Sequence, residues 1–508
     1  MRKWIALLLA GALCLSLCAC GEEPPVVEET PAPEYSSTPV QVREFALAYD
    51  PTADMNPITG DSRVNRMLVS LVYEGLFRLD EHFAPQPVLA QGAEVDESGL
   101  TWTITLKEGV TFSDGTPLEA KHVVSSLKKA QKSTLYAGRL ADVESVKAAK
   151  DGTVVIKLTA PNGGLPALLD IPVVMEGEEE LAPLGTGRYR YVQEEDGLFL
   201  RQNNHRDGEL PIEVIPLYPV TDTNERIQAF DSGLVSAVVT DFSSPYSLGY
   251  SGNSEMWDYD TTDLVYVGFK TVNSPCESAL VRQAFAKAFD REDLVANILD
   301  GHAVAAELPV HPQHETWRDD AAGMLRYDTE DAAALLARVG YTLKDDGLLY
   351  QKKKVLAVTL IVNSDNSAKV EIAQQLAEEL TALGVSVTLS KLSWHDYTTA
   401  LTSGAYDLYI GEVRLTADFD LTELLLGSLN YGGYRSETVQ AAVGAWKASG
   451  ETVDAWLLWK ELVQEVPIAP LCFKKETLLI TWGMGIRPTP LREDLFFGLE
   501  TWPIRPVG

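Results

Sequence analysis

Few side chains in this sequence are spaced for covalent chemistry. His311-Pro312-Gln313-His314 sets two imidazoles near ligand spacing, but Pro312 argues for a loop and no third ligand stands nearby, so a solvated loop is expected and no metal site. Gly249-Tyr250-Ser251-Gly252-Asn253 begins like a nucleophile turn, yet its fifth residue is not Gly and no strand leads into a helix around it. A phosphate-cradling loop ending in Lys-Ser/Thr, a dinucleotide fingerprint at a strand-to-helix turn and a His-Glu-x-x-His pair are all missing from the sequence. With 73 Asp plus Glu, paired carboxylates arise by abundance and read as solvated faces rather than a general acid and base. The expectation is a chain without catalytic residues and without a cofactor, and not an enzyme.

Charge narrows the partners. Lys plus Arg number 42 against those 73 acids, a net charge of −31 that repels nucleic acid and anionic headgroups. Hydrophobic residues make up 45% and charged ones 23%, which is a folded composition, and 508 residues suffice for two or three domains.

The elements that would position a site alternate between strand and helix beyond residue 42. Trp102, Ile104 and Leu106 alternate with Thr101, Thr103 and Thr105, a half-buried strand, and Val154 to Leu158 is another. Thr116-Pro117-Leu118-Glu119 reads as a helix start with Thr116 as cap. Further on, the apolar run Val355 to Val362, the helical face Ile372, Leu376, Leu380, Leu383 and the alternation Val385, Val387, Leu389 form a strand, helix, strand crossover, implying two parallel strands. Ser393 opens a helix carrying Trp394 and Tyr397, followed by a strand through Tyr406, Leu408 and Ile410. Ligands collect beyond the carboxyl ends of strands in such sheets, which singles out the loops 363–366 and 411–420.

The amino terminus is an export segment. Met1-Arg2-Lys3 is basic, and Trp4 to Leu17 is apolar but short for a membrane span. Leu17-Cys18-Ala19-Cys20 then resembles the lipobox of bacterial lipoproteins, with Cys20 as the lipidated first residue and Cys18 where a smaller residue is commoner. Residues 20–41, rich in Pro and Glu, read as an extended tether. Outside the export segment only Cys276 and Cys472 remain, neither a disulfide framework nor a metal spacing.

One resemblance spans most of the chain. Val72-Tyr73-Glu74-Gly75-Leu76-Phe77, with Pro85 to Val124 after it, closely resembles the signature of the extracellular solute-binding proteins of peptide and nickel ABC transporters, family 5. Leu184-Gly185-Thr186-Gly187 resembles the family's G-T-G element, with Arg188 where Pro is usual. Asn224 to Gly233, Val281 to Phe285 with Phe289 to Glu292, and Asp328 to Tyr341 resemble further family blocks in order. Read physically, these blocks are scaffold: Asp290 is a helix cap with Asp293 three on.

The resemblance implies an α/β fold of the periplasmic-binding-protein-like type II (cluster C): two lobes with mixed sheets, a hinge, and an extra strand-rich subdomain. With the lipoprotein signal peptide read from the lipobox at 1–19, it places lobe I at 42–265 with the subdomain at about 70–180, lobe II at 266–474, and a return to lobe I at 475–508. Ligand is enclosed by hinge closure, and a membrane permease of an ABC importer reads the closed form. The solute is an oligopeptide or related small molecule, or a nickel chelate; a peptide-sensing receptor not coupled to uptake is the other reading. The protein would be a monomer, exported and lipid-anchored to the outer face of the bacterial cytoplasmic membrane, or periplasm-facing. In peptide-binding relatives an Asp beyond the strand equivalent to Tyr406–Ile410 pairs with the peptide's α-ammonium. Here that loop carries Arg414, Asp418 and Asp420, so Asp418 or Asp420 is assigned to a cationic group of the ligand and Arg414 to a carboxylate; the alternative is that the three pair with each other or with solvent. Arg139 is an anion-binding candidate of the same kind, and Trp394 with Tyr397 forms either an aromatic wall or core.

Overall fold

The computed structural model describes residues 44–175, 181–206, 208–244 and 249–502; the export segment, Cys20 and the tether lie outside them. Two larger hydrophobic cores organise these residues. One runs from Phe45 to Tyr259 and resumes from Leu478 to Trp502. The other runs from Leu264 to Phe473, with Phe83 as its single earlier member. Each buries the alternate or helical faces that the hydrophobic pattern marks, as burial of apolar surface requires.

The first core is built on two four-stranded sheets. One pairs Leu47–Tyr49 in parallel with Val214–Pro219, then continues antiparallel through Gly197–Gln202 and Tyr189–Glu194. The other is antiparallel: Ala90–Val95, Thr101–Leu106, Val154–Leu158 and Val143–Ala148, with Trp102, Ile104, Val154 and Ile156 buried. The helix after the second strand spans Ala120–Ala130, its cap at Glu119 lying three residues later than the Thr116 cap read from sequence. Asp114 takes the Thr116 amide into a turn at 2.8 Å, and the Leu118 amide donates to Val110 O at 2.9 Å, so Thr116 to Leu118 are held outside the helix. Glu119 caps it instead, its own amide donating to His122 Nδ1 at 3.0 Å.

A seven-stranded sheet joins the cores. Its order is Ala237–Thr240, Ile468–Thr481, Ser254–Phe269, Leu408–Arg414, Ala357–Asn363 and Ser386–Leu392, with Ala303–Ala305 also on Ile468–Thr481. The expected crossover is present: Ala357–Asn363 and Ser386–Leu392 are parallel, linked by the helix Ser367–Ala382 with Ile372, Leu376 and Leu380 buried. Ser254–Phe269 and Ile468–Thr481 each pass from one core to the other. Where they cross, the register shifts from Asp260 opposite Lys475 to Leu264 opposite Phe473, leaving Thr261, Thr262 and Asp263 against Lys474 alone. Such a bulge bends and twists a strand. Thr261 Oγ1 donates to Lys474 O, and Thr262 Oγ1 to Leu415 O, both at 2.6 Å, so the irregular backbone is held by side chains.

Two sequence readings need correction. The strand Leu408–Arg414 absorbs Gly411 to Arg414, so only the remainder of the expected ligand loop is irregular. The His311 and His314 segment is not solvated. His311 is fully buried against Phe83 and Phe473, with ring centroids 4.9 and 5.3 Å away, and His314 packs on Phe419 at 5.0 Å. Burial holds the His314 imidazole neutral, its pKa lowered to about 4.

Candidate functional site

A cavity of about 770 Å³ opens beside the crossing bulge, within the range of small-molecule sites. Most of its wall belongs to the first core; the second contributes Arg414, Leu415 and Thr416. Apolar surface comes from Val64, Met67, Val69, Leu135 and Phe497. The polar surface is unusual for so acidic a chain: nine arginines and no lysine line it, against eight carboxylates.

Five of those arginines are fixed by acids. Arg139 donates to Asp170, whose side chain is 3% exposed, and lies 3.8 Å from Glu493. Arg188 clamps Asp494 at 2.8 and 3.0 Å and reaches Phe496 O at 3.0 Å. Arg206 pairs with Glu74 at 2.5 Å, and Arg492 approaches Glu493 at 3.4 Å while donating to Thr262 Oγ1 at 2.9 Å. Arg414 pairs with Asp263 through two bonds of 2.6 Å. Burial alone would push the Asp263 carboxyl up; Arg414 outweighs it and holds the group below its ordinary value. The Tyr259 hydroxyl donates to Glu476 Oε2 at 2.7 Å, closing the wall beneath Arg414.

The structure separates the residues singled out in sequence. Arg414 and Arg139 both line the large cavity. Asp418 and Asp420 line a second one, of about 210 Å³. Asp418 accepts from Thr416 Oγ1 at 2.5 Å and Asn162 Nδ2 at 3.2 Å, and burial raises its pKa. Asp420 pairs with Lys447 at 2.8 Å. Among the three loop residues only the Asp420 amide meets another, donating to Asp418 Oδ1 at 3.3 Å; the charged side chains are each held by groups outside the set. Trp394 lines neither cavity: it is 59% exposed and stacks on Tyr397, which is buried and donates to Ile410 O at 2.6 Å. Asn366 caps the crossover helix and is absent from both linings.

Sequence reasoning missed most of the cavity's cations. Arg63 and Arg66 share one turn, but Arg78 lies beyond it and Arg492 near the carboxyl terminus, so no single local spacing joins the set. Arg188, standing where the family resemblance expects Pro, was the available signal.

Two cores, two strands passing between them and a cavity walled from both define a two-lobed architecture with an enclosed site at the crossing. The family model of bacterial extracellular solute-binding proteins, family 5, matches residues 84–433, and the chain belongs to that family. It is 23% identical over 419 residues to the oligopeptide-binding protein AppA of Bacillus subtilis, covering 77% of this chain and 76% of that protein. It is 24% identical over 466 residues to the glutathione-binding protein GsiB of Salmonella typhimurium, covering 83% and 87%. Its fold matches NikZ from Campylobacter jejuni, solved in complex with Ni(L-His), with a TM-score of 0.61 at 20% identity over 91% of this chain and 99% of that one. Among the described residues no helix is long and apolar enough to cross a membrane.

Proposed function

We propose that this chain is the extracellular substrate-binding lipoprotein of an ABC importer, capturing an oligopeptide or related small solute between two lobes and delivering it to a membrane permease. Residues 42–265 with 475–508 form one lobe and 266–474 the other, and Cys20 carries the lipid. The observation that carries the reading is the cavity of about 770 Å³ beside the crossing bulge, where residues of both cores meet. A ligand touching both walls stabilises the closed arrangement by its differential affinity, and that arrangement is what a permease can read. Arg414 and Arg139, the anion candidates, both border the cavity, where their pairing with Asp263 and Asp170 leaves them as a fixed positive wall beside the solute. A nickel chelate is the second reading, supported by a lining that offers arginines to the organic anion of such a chelate.

Small-angle scattering of the full chain with and without a library of two- to five-residue peptides, and with nickel–histidine, tests it. A smaller radius of gyration with one class of solute is expected. Unchanged curves with every solute, or a chemically altered peptide in the mixture, reject the proposal.

A further inference from the structure

Four of the nine cavity arginines, Arg63, Arg66, Arg78 and Arg226, have no carboxylate within ion-pair distance among the described residues. Arg63 and Arg66 are exposed at the cavity, three residues apart on the turn Arg63–Arg66. Arg78 is half-buried with its guanidinium 4.5 Å above the Phe497 ring, and its Nε is buried without a hydrogen-bond partner. A buried guanidinium nitrogen left unpaired is costly unless something else completes it.

The carboxylates of the same wall are in the opposite condition. Glu74 is held by Arg206 and Thr186, Asp241 by Lys474, Glu476 by Tyr259 and Arg414, and Asp494 by Arg188. Asp170 keeps one oxygen unpartnered, but that oxygen is fully buried behind its pairing with Arg139. Asp61, exposed beside Arg63, is the acid without an ion pair among the described residues. The two acids of the 415–420 loop face the smaller cavity. The large cavity thus has unspent cations and almost no unspent anion. Arginine's planar fork fits carboxylates in pairs, and a cleft of one sign concentrates oppositely charged solutes even on a molecule of net charge −31.

We propose that the solute is a polycarboxylate, carrying at least two carboxylates, received by Arg63, Arg66 and Arg78. The inference rests on the solute-binding reading above and narrows it. An acidic peptide and a carboxylate metal chelate share this chemistry.

Equilibrium dialysis of the purified full chain distinguishes them. One arm uses an equimolar library of three- to five-residue peptides spanning strongly negative to strongly positive charge; a parallel arm uses nickel citrate. Peptides with two or more acidic side chains, or nickel citrate, should be retained about tenfold over neutral peptides, a difference of about 1.4 kcal/mol. Arg66→Gln and Arg78→Gln should each lower that retention about tenfold and leave neutral peptides unchanged. Arg66 is exposed, so its variant folds even if the Arg78 variant does not. Retention without charge bias, or unaltered retention in the Arg66 variant, overturns the polycarboxylate assignment and leaves solute binding standing. No retention in either arm overturns both.

Discussion

Arg414 grips Asp263 through two parallel hydrogen bonds of 2.6 Å, from a strand of the second core to the bulge at which the chain leaves the first. The guanidinium also lies 3.7 Å from Glu476 on the other crossing strand, so one side chain spans both connections while one face borders the cavity. Its side chain is 57% exposed but that of Asp263 only 8%, so the energetic weight lies with the carboxylate. Arg414→Ala leaves Asp263 buried with weaker support from Arg492 and Lys474. A loss of about 2 kcal/mol is expected, below the range for breaking a fully buried pair because of the exposed partner. Urea unfolding of Arg414→Ala, Asp263→Asn and the double variant measures it; additive losses would mean the two groups do not interact.

Glu379 gives a pH dependence of definite sign. On the crossover helix it accepts from Gln375 Nε2 at 3.0 Å and from the Asp290 amide at 3.2 Å, and burial, only partly offset by those bonds, pushes its pKa up to about 7. Below the ordinary value of 4.5 the carboxyl is protonated in folded and unfolded chains alike. As pH rises from there towards 7, the unfolded chain releases the proton and the folded chain retains it, so stability falls through that window and levels off above it. With half-burial taken into account the loss is about 1 kcal/mol. Glu379→Gln keeps the acceptor oxygen and removes the titration. Its urea midpoint minus the parent's should grow from pH 5 to pH 7.5; a constant difference contradicts the assignment.

The two cysteines of the folded part are free and buried, and burial raises both thiols to about 12. A neutral, covered thiol is a poor nucleophile. Cys276 and Cys472 should resist iodoacetamide at pH 8 in the native chain and both alkylate in guanidinium, as read by peptide mapping. Native labelling of either, or a linked peptide joining them, contradicts the structure.

What the sequence exposes and what it hides follow from the range of the interactions. The caps at Asp290 and Ser393 are legible because each accepts from an amide three residues on. The crossover is legible because its periodicity changes within thirty-odd residues, as alternation gives way to a helical face. The helix start at Thr116 is misread because a competing local bond, from Asp114, claims the same residue. The ligand loop is misread for a longer-range reason: Arg414 stays in its strand, paired with Asp263 151 positions away. The cavity's cations, from Arg63 to Arg492, come together only through the return of the chain to its first core. No window along the sequence contains them.

The second cavity marks where the two cores touch away from the crossing strands. The Gly163 amide donates to Lys447 O at 2.9 Å, and the Lys447 ammonium bridges Asp142 and Asp420, each at 2.8 Å. Asn162 reaches Asp418 from the same loop, and Phe83 inserts among His311 and Phe419 of the second core, backbone φ 62°. Gly163 is required by close approach: a Cβ there would lie 2.1 Å from Ser449 O and 2.4 Å from the Gly450 nitrogen, with backbone on both sides and no flexible side chain to yield. Gly163→Ala must therefore push the loop and the end of the helix Glu437–Ser449 apart, at an overpacking cost of about 1–3 kcal/mol borne by this contact and not by either core. Amide exchange should accelerate at Gly163 and around Gly450 while the core strands Thr101–Leu106 and Ala357–Asn363 stay protected, and the radius of gyration without solute should rise. Phe83→Ala, which removes a ring from the second core, should move both readings the same way and also lower the unfolding midpoint, since core Phe→Ala changes cost about 3–5 kcal/mol. Unaltered exchange at Gly163 in the alanine variant would show that the two segments separate freely already, and that this contact does not hold the cores together.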